Sequence, residues 1–213
     1  TLSQPDNTSS LQEELSALTA CGVRLMTSTT AFGLYDNGVA GLLERVTDHL
    51  ADPTSWLPRQ RFWTVRAHAT VIAAGALERH IAFGDNDRPG VMTANAGRTY
   101  LNRFAIQAGE KIVIATNNDS AYTTASDLAG SGASVTMLDS RREIPFSWRS
   151  HCDTAGVVIK SGAAPMKALG GKAVSDLTTA IRQGNSWRAD RNIDCDLVLV
   201  SGGWSPVVNL LSH

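Results

Sequence analysis

The stretch Lys111–Asp139, KIVIATNNDSAYTTASDLAGSGASVTMLD, decides how this chain folds. An apolar, β-rich run from Ile112 to Ala115 leads into a tight polar turn. A helix with Ala121, Ala125, Leu128 and Ala129 on one face follows, and a second strand, Ser134 to Leu138, ends in Asp139. This is the layout of a dinucleotide-binding βαβ unit, with Asp139 about 20 residues beyond the turn, where a ribose-binding carboxylate is expected. Laid over G-x-G-x-x-G/A, the three small positions hold Thr116, Asn118 and Ala121, and only the third is tolerable. Asn118 puts a side chain where the second glycine would admit a pyrophosphate, and Asp119 would cap the helix while repelling a phosphate. A structural turn with an impaired phosphate grip is the favoured reading, and a live nucleotide site is the other.

The chain has 213 residues, enough for one large or two interleaved domains with a real core. Its 19 basic and 20 acidic side chains nearly cancel, which argues against a nucleic-acid-binding or polybasic membrane surface. Cys21, Cys152 and Cys195 are odd in number, far apart and without a C-x-x-C, so no disulfide framework, zinc site or dithiol redox motif is signalled. Buried, reduced thiols in a cytoplasmic protein are expected. No apolar run approaches the roughly 20 residues that span a bilayer, and TLSQPDNTSS has no signal-peptide layout.

Elsewhere, Ser10 and Glu13 form a capping-box pattern that predicts a helix over 11–21, and Val23–Met26 reads as a buried strand. Two β-rich runs, Thr29–Tyr35 and Val39–Thr47, flank Asp36-Asn37-Gly38, a strong hairpin signal, and Arg61–Ala67 completes a three-stranded meander. Thr70–Ala74 is short, apolar and followed by Gly75-Ala76, as a parallel strand ending at a ligand crevice would be. Residues 78–92 suit a crossing linker, and Thr93–Phe104 a helix. Beyond Asp139 come a strand at Gly156–Lys160, a β-rich pair around Leu169-Gly170-Gly171, a polar loop over 184–193, and an apolar strand, Asp196–Val200, closing on Ser201-Gly202-Gly203-Trp204.

Two meanders, each closing on an apolar strand plus small residues, make an internal repeat of architecture. The second half begins with a strand–turn–helix–strand unit that the first half lacks. A longer protein with a glycine-rich βαβ unit upstream of Thr1 is therefore expected. The fold class is α/β, a three-layer ββα arrangement with antiparallel three-stranded meanders and an incomplete first half. The expected division is residues 1–92 as the first half, 93–193 as the second, eroded half, and 194–213 as a return that completes the first.

Several segments carry a resemblance: TTAFGLYDN (29–37), PRQRFWTVRA (58–67), GALERHIAFGDNDRPGVM (75–92), GRTYLNRF (97–104), TNNDSAY (116–122) and CDLVLVSGGWSPVVNLLS (195–212). Together they resemble the α subunit of heterotetrameric sarcosine oxidase, along nearly the whole chain. The resemblance implies an FAD/NAD(P)-binding, Rossmann-like region whose own nucleotide is NAD, within a complex that also carries FAD and FMN and is completed by β, γ and δ subunits. It implies oxidation of sarcosine with peroxide release, at a flavin in another subunit. The α subunit of a dye-linked proline or opine dehydrogenase shares the fold, and a non-catalytic assembly module is the contrasting reading. A flavin-dependent disulfide reductase is argued against by the missing C-x-x-C.

The candidate cofactor-binding positions are Gly75, Ala76, Gly202 and Gly203, where backbone can run close to a nucleotide. Thr30 and Ala31 join them by fold analogy alone. Trp204 reads as a packing anchor before a ring-stacking group. Adjacent His151, Cys152 and Asp153 cannot by themselves present a nucleophile–base–orienter geometry. Glu78, Arg79 and His80 read as a solvated or interdomain ion cluster. No catalytic base or nucleophile and no metal site are expected in this chain.

Overall fold

Helix α1 (Asn7–Ala20) begins the described part of the computed structural model, which comprises residues 7–211. The helix starts upstream of the expected 11–21, so Ser10 falls inside it rather than at its cap. Strands β1 (Thr29–Tyr35), β2 (Val39–Arg45) and β3 (Gln60–Arg66) form the expected antiparallel meander in the order β1-β2-β3. The β1–β2 connection needs left-handed backbone at Asn37 (φ 61°) and Gly38 (φ 70°). A Cβ on Gly38 would also meet the Ala67 carbonyl oxygen at 2.2 Å. The runs Val23–Met26 and Thr70–Ala74 are irregular, not strands. An apolar run becomes a strand only where a neighbour takes up its N–H and C=O groups, and neither run has a ladder partner among the described residues.

These elements belong to the first of two compact units, which among the described residues comprises 7–76 with 206–211. The Asn209–Leu211 turn returns beside β1 within it. Among its described residues only Gly33, Ala40, Gly41 and Thr47 are buried. Phe32 and Phe62, with ring centroids 5.5 Å apart, remain exposed, as do Val65 and Trp56.

The second unit spans 77–205. After the short strands β4 (Ala76–Glu78) and β5 (Val91–Thr93) come α2 (Ala94–Phe104), β6 (Lys111–Thr116), α3 (Ser120–Gly130), β7 (Ser134–Asp139), α4 (Phe146–Ala155) and β8 (Val158–Ser161). A second meander follows, β9 (Ala163–Leu169), β10 (Asp176–Gln183) and β11 (Ser186–Asp194), and the chain closes through β12 (Leu197–Ser201) and β13 (Trp204–Pro206). Five strands form a parallel sheet in the order β5-β12-β6-β7-β8.

Both faces are covered at the centre of this sheet, so β12 and most of β6 are apolar, with alternate residues serving opposite layers. Ile112, Ile114, Met137, Leu197 and Leu199 pack with Leu101 of α2, with Ala121, Tyr122, Ala125 and Leu128 of α3, and with Cys152 of α4. Val113, Ala115, Leu138, Val198 and Val200 pack with Ala163, Ala168 and Leu177 of the meander. The result is the expected three-layer ββα architecture. Each fully buried Leu or Ile here contributes about 2 kcal/mol of hydrophobic stabilisation.

The compact units divide at 76/77 and 205/206, and β5 and β12 are neighbours in the same sheet as β6. Two expectations change. Residues 184–193 are no loop: β11 pairs with β10 across Gly184-Asn185, with Gly184 at φ 60°. The strand is polar because it is an edge strand exposed on both faces. The 78–92 linker includes β5, and Gly84 bridges to Lys167 of β9.

Candidate functional site

In an open parallel sheet the ligand crevice lies beyond the carboxyl ends of the strands, where the strand order reverses. Here the chain runs β6, β7, β8 in one direction and returns as β12 on the other side of β6. The crevice is therefore bounded by Thr116–Ser120, leaving β6, and by Ser201–Trp204, leaving β12.

Hydrogen bonds within the chain fill it. The Asn118 side-chain amide donates to the Ser201 carbonyl (3.0 Å) and Oγ (3.2 Å), joining the ends of β6 and β12. Asn118 Oδ1 accepts from the Ser120 N–H (3.1 Å) and hydroxyl (2.6 Å). The Asn118 N–H donates to Thr116 Oγ1 at 3.1 Å, and the Trp204 indole N–H donates to Ser120 Oγ at 2.9 Å. The N–H groups of Asn118 and Ser120, which at the start of such a helix would be offered to a phosphate, are thus satisfied internally.

Asp139 ends β7 at the expected ribose position but is fully buried. Its carboxylate accepts from the Tyr122 hydroxyl (2.7 Å), from the Arg141 backbone N–H (2.9 Å) and from the Arg141 guanidinium (2.7 Å to Nη2). Arg141 Nη1 reaches on to Asp119 at 2.7 Å. Burial, reinforced by the bond to Asp139, raises the pKa of the Tyr122 phenol, and the bonded Asp139 carboxylate raises that of Arg141. The cluster of Asp119, Asp139 and Arg141 carries one net negative charge, the wrong sign for a phosphate ligand.

The sequence-derived candidates fall in both units. Thr30 and Ala31 are exposed on β1, Gly75 (φ 74°) is exposed with no atom near its Cβ position, and Ala76 opens β4. Gly202 lies tight against the Arg79 and His80 carbonyls and the Ile81 side chain: its N–H donates to the Arg79 carbonyl (2.8 Å), and a Cβ would meet that oxygen at 3.1 Å. Gly203 (φ 95°) accepts from the Arg79 N–H at 2.8 Å. Glu78, Arg79 and His80 form no ion cluster among themselves. Glu78 accepts from the Asn95 N–H at the start of α2 (2.7 Å), and Arg79 Nε donates to Ser205 Oγ (2.7 Å).

Other motif residues hold the fold. Arg88 donates to the carbonyls of Gly170 (2.6 Å) and Gly171 (2.7 Å), tying the β9–β10 turn. Gly90 (φ 94°) lies where a Cβ would come within 2.6 Å of Val174. In α4, Cys152 is buried, and burial pushes its thiol up to about 11, which keeps it un-ionised at neutral pH. His151 instead packs edge-on to Trp148, with centroids 5.9 Å apart. Cys195 is likewise buried and pushed up to about 12, whereas Cys21 is exposed, contrary to the expectation for all three thiols. Among the described residues no group of His, Cys, Asp or Glu could hold a metal ion, and no helix is long and apolar enough to cross a membrane.

No family model matches the chain. Among solved structures it is similar to thioredoxin reductase of T. acidophilum (TM-score 0.65, 12% identity, 95% of this chain and 61% of that one). It is also similar to the bacillithiol disulfide reductase of Bacillus cereus (TM-score 0.61, 14% identity, 100% of this chain and 61% of that one). At these identities the likeness establishes the fold, that of the FAD/NAD(P)-binding oxidoreductases. In sequence it is 38% identical over 192 residues to sarcosine oxidase subunit alpha of Rhizobium meliloti (strain 1021), and 40% identical over 190 residues to that of Corynebacterium sp. (strain U-96). These matches cover 90% and 87% of this chain but 18% and 20% of those relatives, so the chain spans about a fifth of their length. Over about nine-tenths of its length, the chain is similar in sequence to one region of the sarcosine oxidase α subunits.

Proposed function

We propose that this region is the nucleotide-binding and assembly core of a sarcosine oxidase α-like subunit, within a cytoplasmic complex that oxidises sarcosine to glycine and releases peroxide. The observation that carries this reading is the 38–40% identity to α subunits over about nine-tenths of the chain. Thr30, Ala31, Gly75 and Ala76 would hold the dinucleotide, NAD, in the first half. When bound, the FAD and FMN of the complex supply the electron-transfer chemistry. This chain's residues contribute binding surface and rigidity, not acid–base groups: its buried thiols are un-ionised, and Asp139, Arg141 and Tyr122 are committed to one another. The β, γ and δ subunits dock on the assembled α subunit.

The test is sarcosine-dependent peroxide formation. The full-length polypeptide assembled with its partner subunits is expected to produce peroxide, and the 213-residue chain alone to produce none. Peroxide from the chain alone, or none from the assembled complex, would overturn the reading. A second reading, a non-catalytic assembly module that binds no nucleotide, is favoured by the filled crevice between β6 and β12.

A further inference from the structure

We propose that the crevice between β6 and β12 is plugged by the chain's own side chains, so that the five-stranded sheet excludes a dinucleotide despite its nucleotide-binding architecture. This deepens the reading above, since it assigns any NAD to the first half. The crevice does not fit a dinucleotide for three independent reasons.

The first is space. Asn118 stands where the second glycine of the fingerprint lets a pyrophosphate approach the backbone, and its amide is pinned to Ser201 of β12, a residue with no exposed surface. Withdrawing it would strand the buried Ser201 hydroxyl, besides losing two hydrogen bonds of its own. The second is donors. A phosphate at this helix start would need the N–H groups of Asn118 and Ser120, and these already donate to Thr116 Oγ1 and Asn118 Oδ1. The third is charge. Asp119 lies at the N-cap of α3, and its partner Arg141 is shared with the buried Asp139, so no cation is left over for an incoming phosphate.

Asp139 illustrates the substitution. In a working site its carboxylate would face ribose hydroxyls. Here the Tyr122 hydroxyl and the Arg141 guanidinium occupy its oxygens, so protein donors replace the ligand's. The plug links the TNNDSAY and VSGGWSP segments, which lie about 80 residues apart in sequence, and so fixes β12 beside β6.

The test uses the full-length polypeptide in its complex and a photoreactive azido-ADP probe, with NAD as competitor and peptide mapping of the adduct. In the wild type no NAD-protected label is expected on peptides covering 116–122 or 139–141. In the double variant Asn118→Gly, Asp119→Ser, which opens the space and removes the charge, label at those peptides is expected with about tenfold tighter ADP binding there. NAD-protected label at 116–122 in the wild type overturns the proposal, as does a variant that melts normally yet gains no label. If the variant fails to fold, the wild-type map decides alone. Absence of NAD binding anywhere in the complex would sink the proposed function and leave the plug standing. Label at 116–122 in the wild type would do the reverse.

Discussion

The two meanders have the same antiparallel three-stranded form and opposite burial. In β9–β10–β11, Ala163, Ala168 and Leu177 enter a core shared with the parallel sheet. In β1–β2–β3 nothing larger than Ala40 is buried, and Phe32, Phe62 and Val65 remain exposed. The sequences differ less than the burial does, since the first meander is the more aromatic of the two. A meander of this kind is a lid: its apolar face stabilises the protein only where a sheet lies beneath it, and the second unit supplies such a sheet.

The largest effect that could break this comparison is in amide exchange. In this 213-residue chain, the amides of β6 and β12 are expected to exchange on the order of a thousandfold more slowly than those of β1 and β3, a difference of about 4 kcal/mol in opening free energy. Equal protection would show that the first meander is covered after all. Next come core truncations. Leu199→Ala, at a fully buried position between α2 and the sheet, should lower unfolding stability by about 3 kcal/mol. Phe62→Ala on β3 should cost under about 0.5 kcal/mol. Chemical denaturation of both variants measures the contrast, and similar losses would erase it.

Tyr122→Phe sharpens the account within the second unit. It removes one donor from the fully buried Asp139 while leaving the ring packed against Trp148, so a loss of about 2 kcal/mol is expected. A neutral result would mean that Arg141 alone satisfies the carboxylate. A further effect begins in mild alkali. Cys152 and Cys195 have folded-state values raised to about 11 and about 12 from an ordinary value of 9.0, so the folded state keeps protons that the unfolded state loses. Stability from these thiols is full below pH 9 and falls as pH rises through 9 toward 11, by about 1 kcal/mol already at pH 9. The raised Tyr122 value adds a loss of the same sign above pH 10. Denaturation midpoints that stay flat to pH 10 would contradict this. A thiol reagent at neutral pH should modify only Cys21 in the folded chain.

What the sequence made legible follows period and punctuation. The continuous apolar run from Ile112 to Ala115, together with the Asn37-Gly38 turn, was enough to place β6 and the first hairpin, because each signal is local. Strand β11 was illegible as a strand because in SWRADRNID the apolar Trp187, Ala189 and Ile193 are outnumbered by charged and polar residues. The usable signal was Gly184-Asn185, a two-residue hairpin turn with one side hidden by polarity. Thr70–Ala74 misled in the opposite sense: it is apolar, but pairing is a property of the neighbour as well as of the run. In the site, the erosion of the fingerprint was readable at Asn118 and Asp119, yet their partners were not. Ser201 is 83 residues away, and the bond to it depends on β12 lying next to β6. Arg141, two residues beyond Asp139, was a local clue to the buried carboxylate's fate that strand and helix patterning does not weigh.

NAD is proposed to bind through the first half of this region and not at the five-stranded sheet. Calorimetric titration of NAD into the full-length polypeptide and into the 213-residue chain tests it most directly. Binding by the full-length polypeptide and none by the chain is predicted. Equal affinity in both, or no binding to the full-length polypeptide, would contradict it.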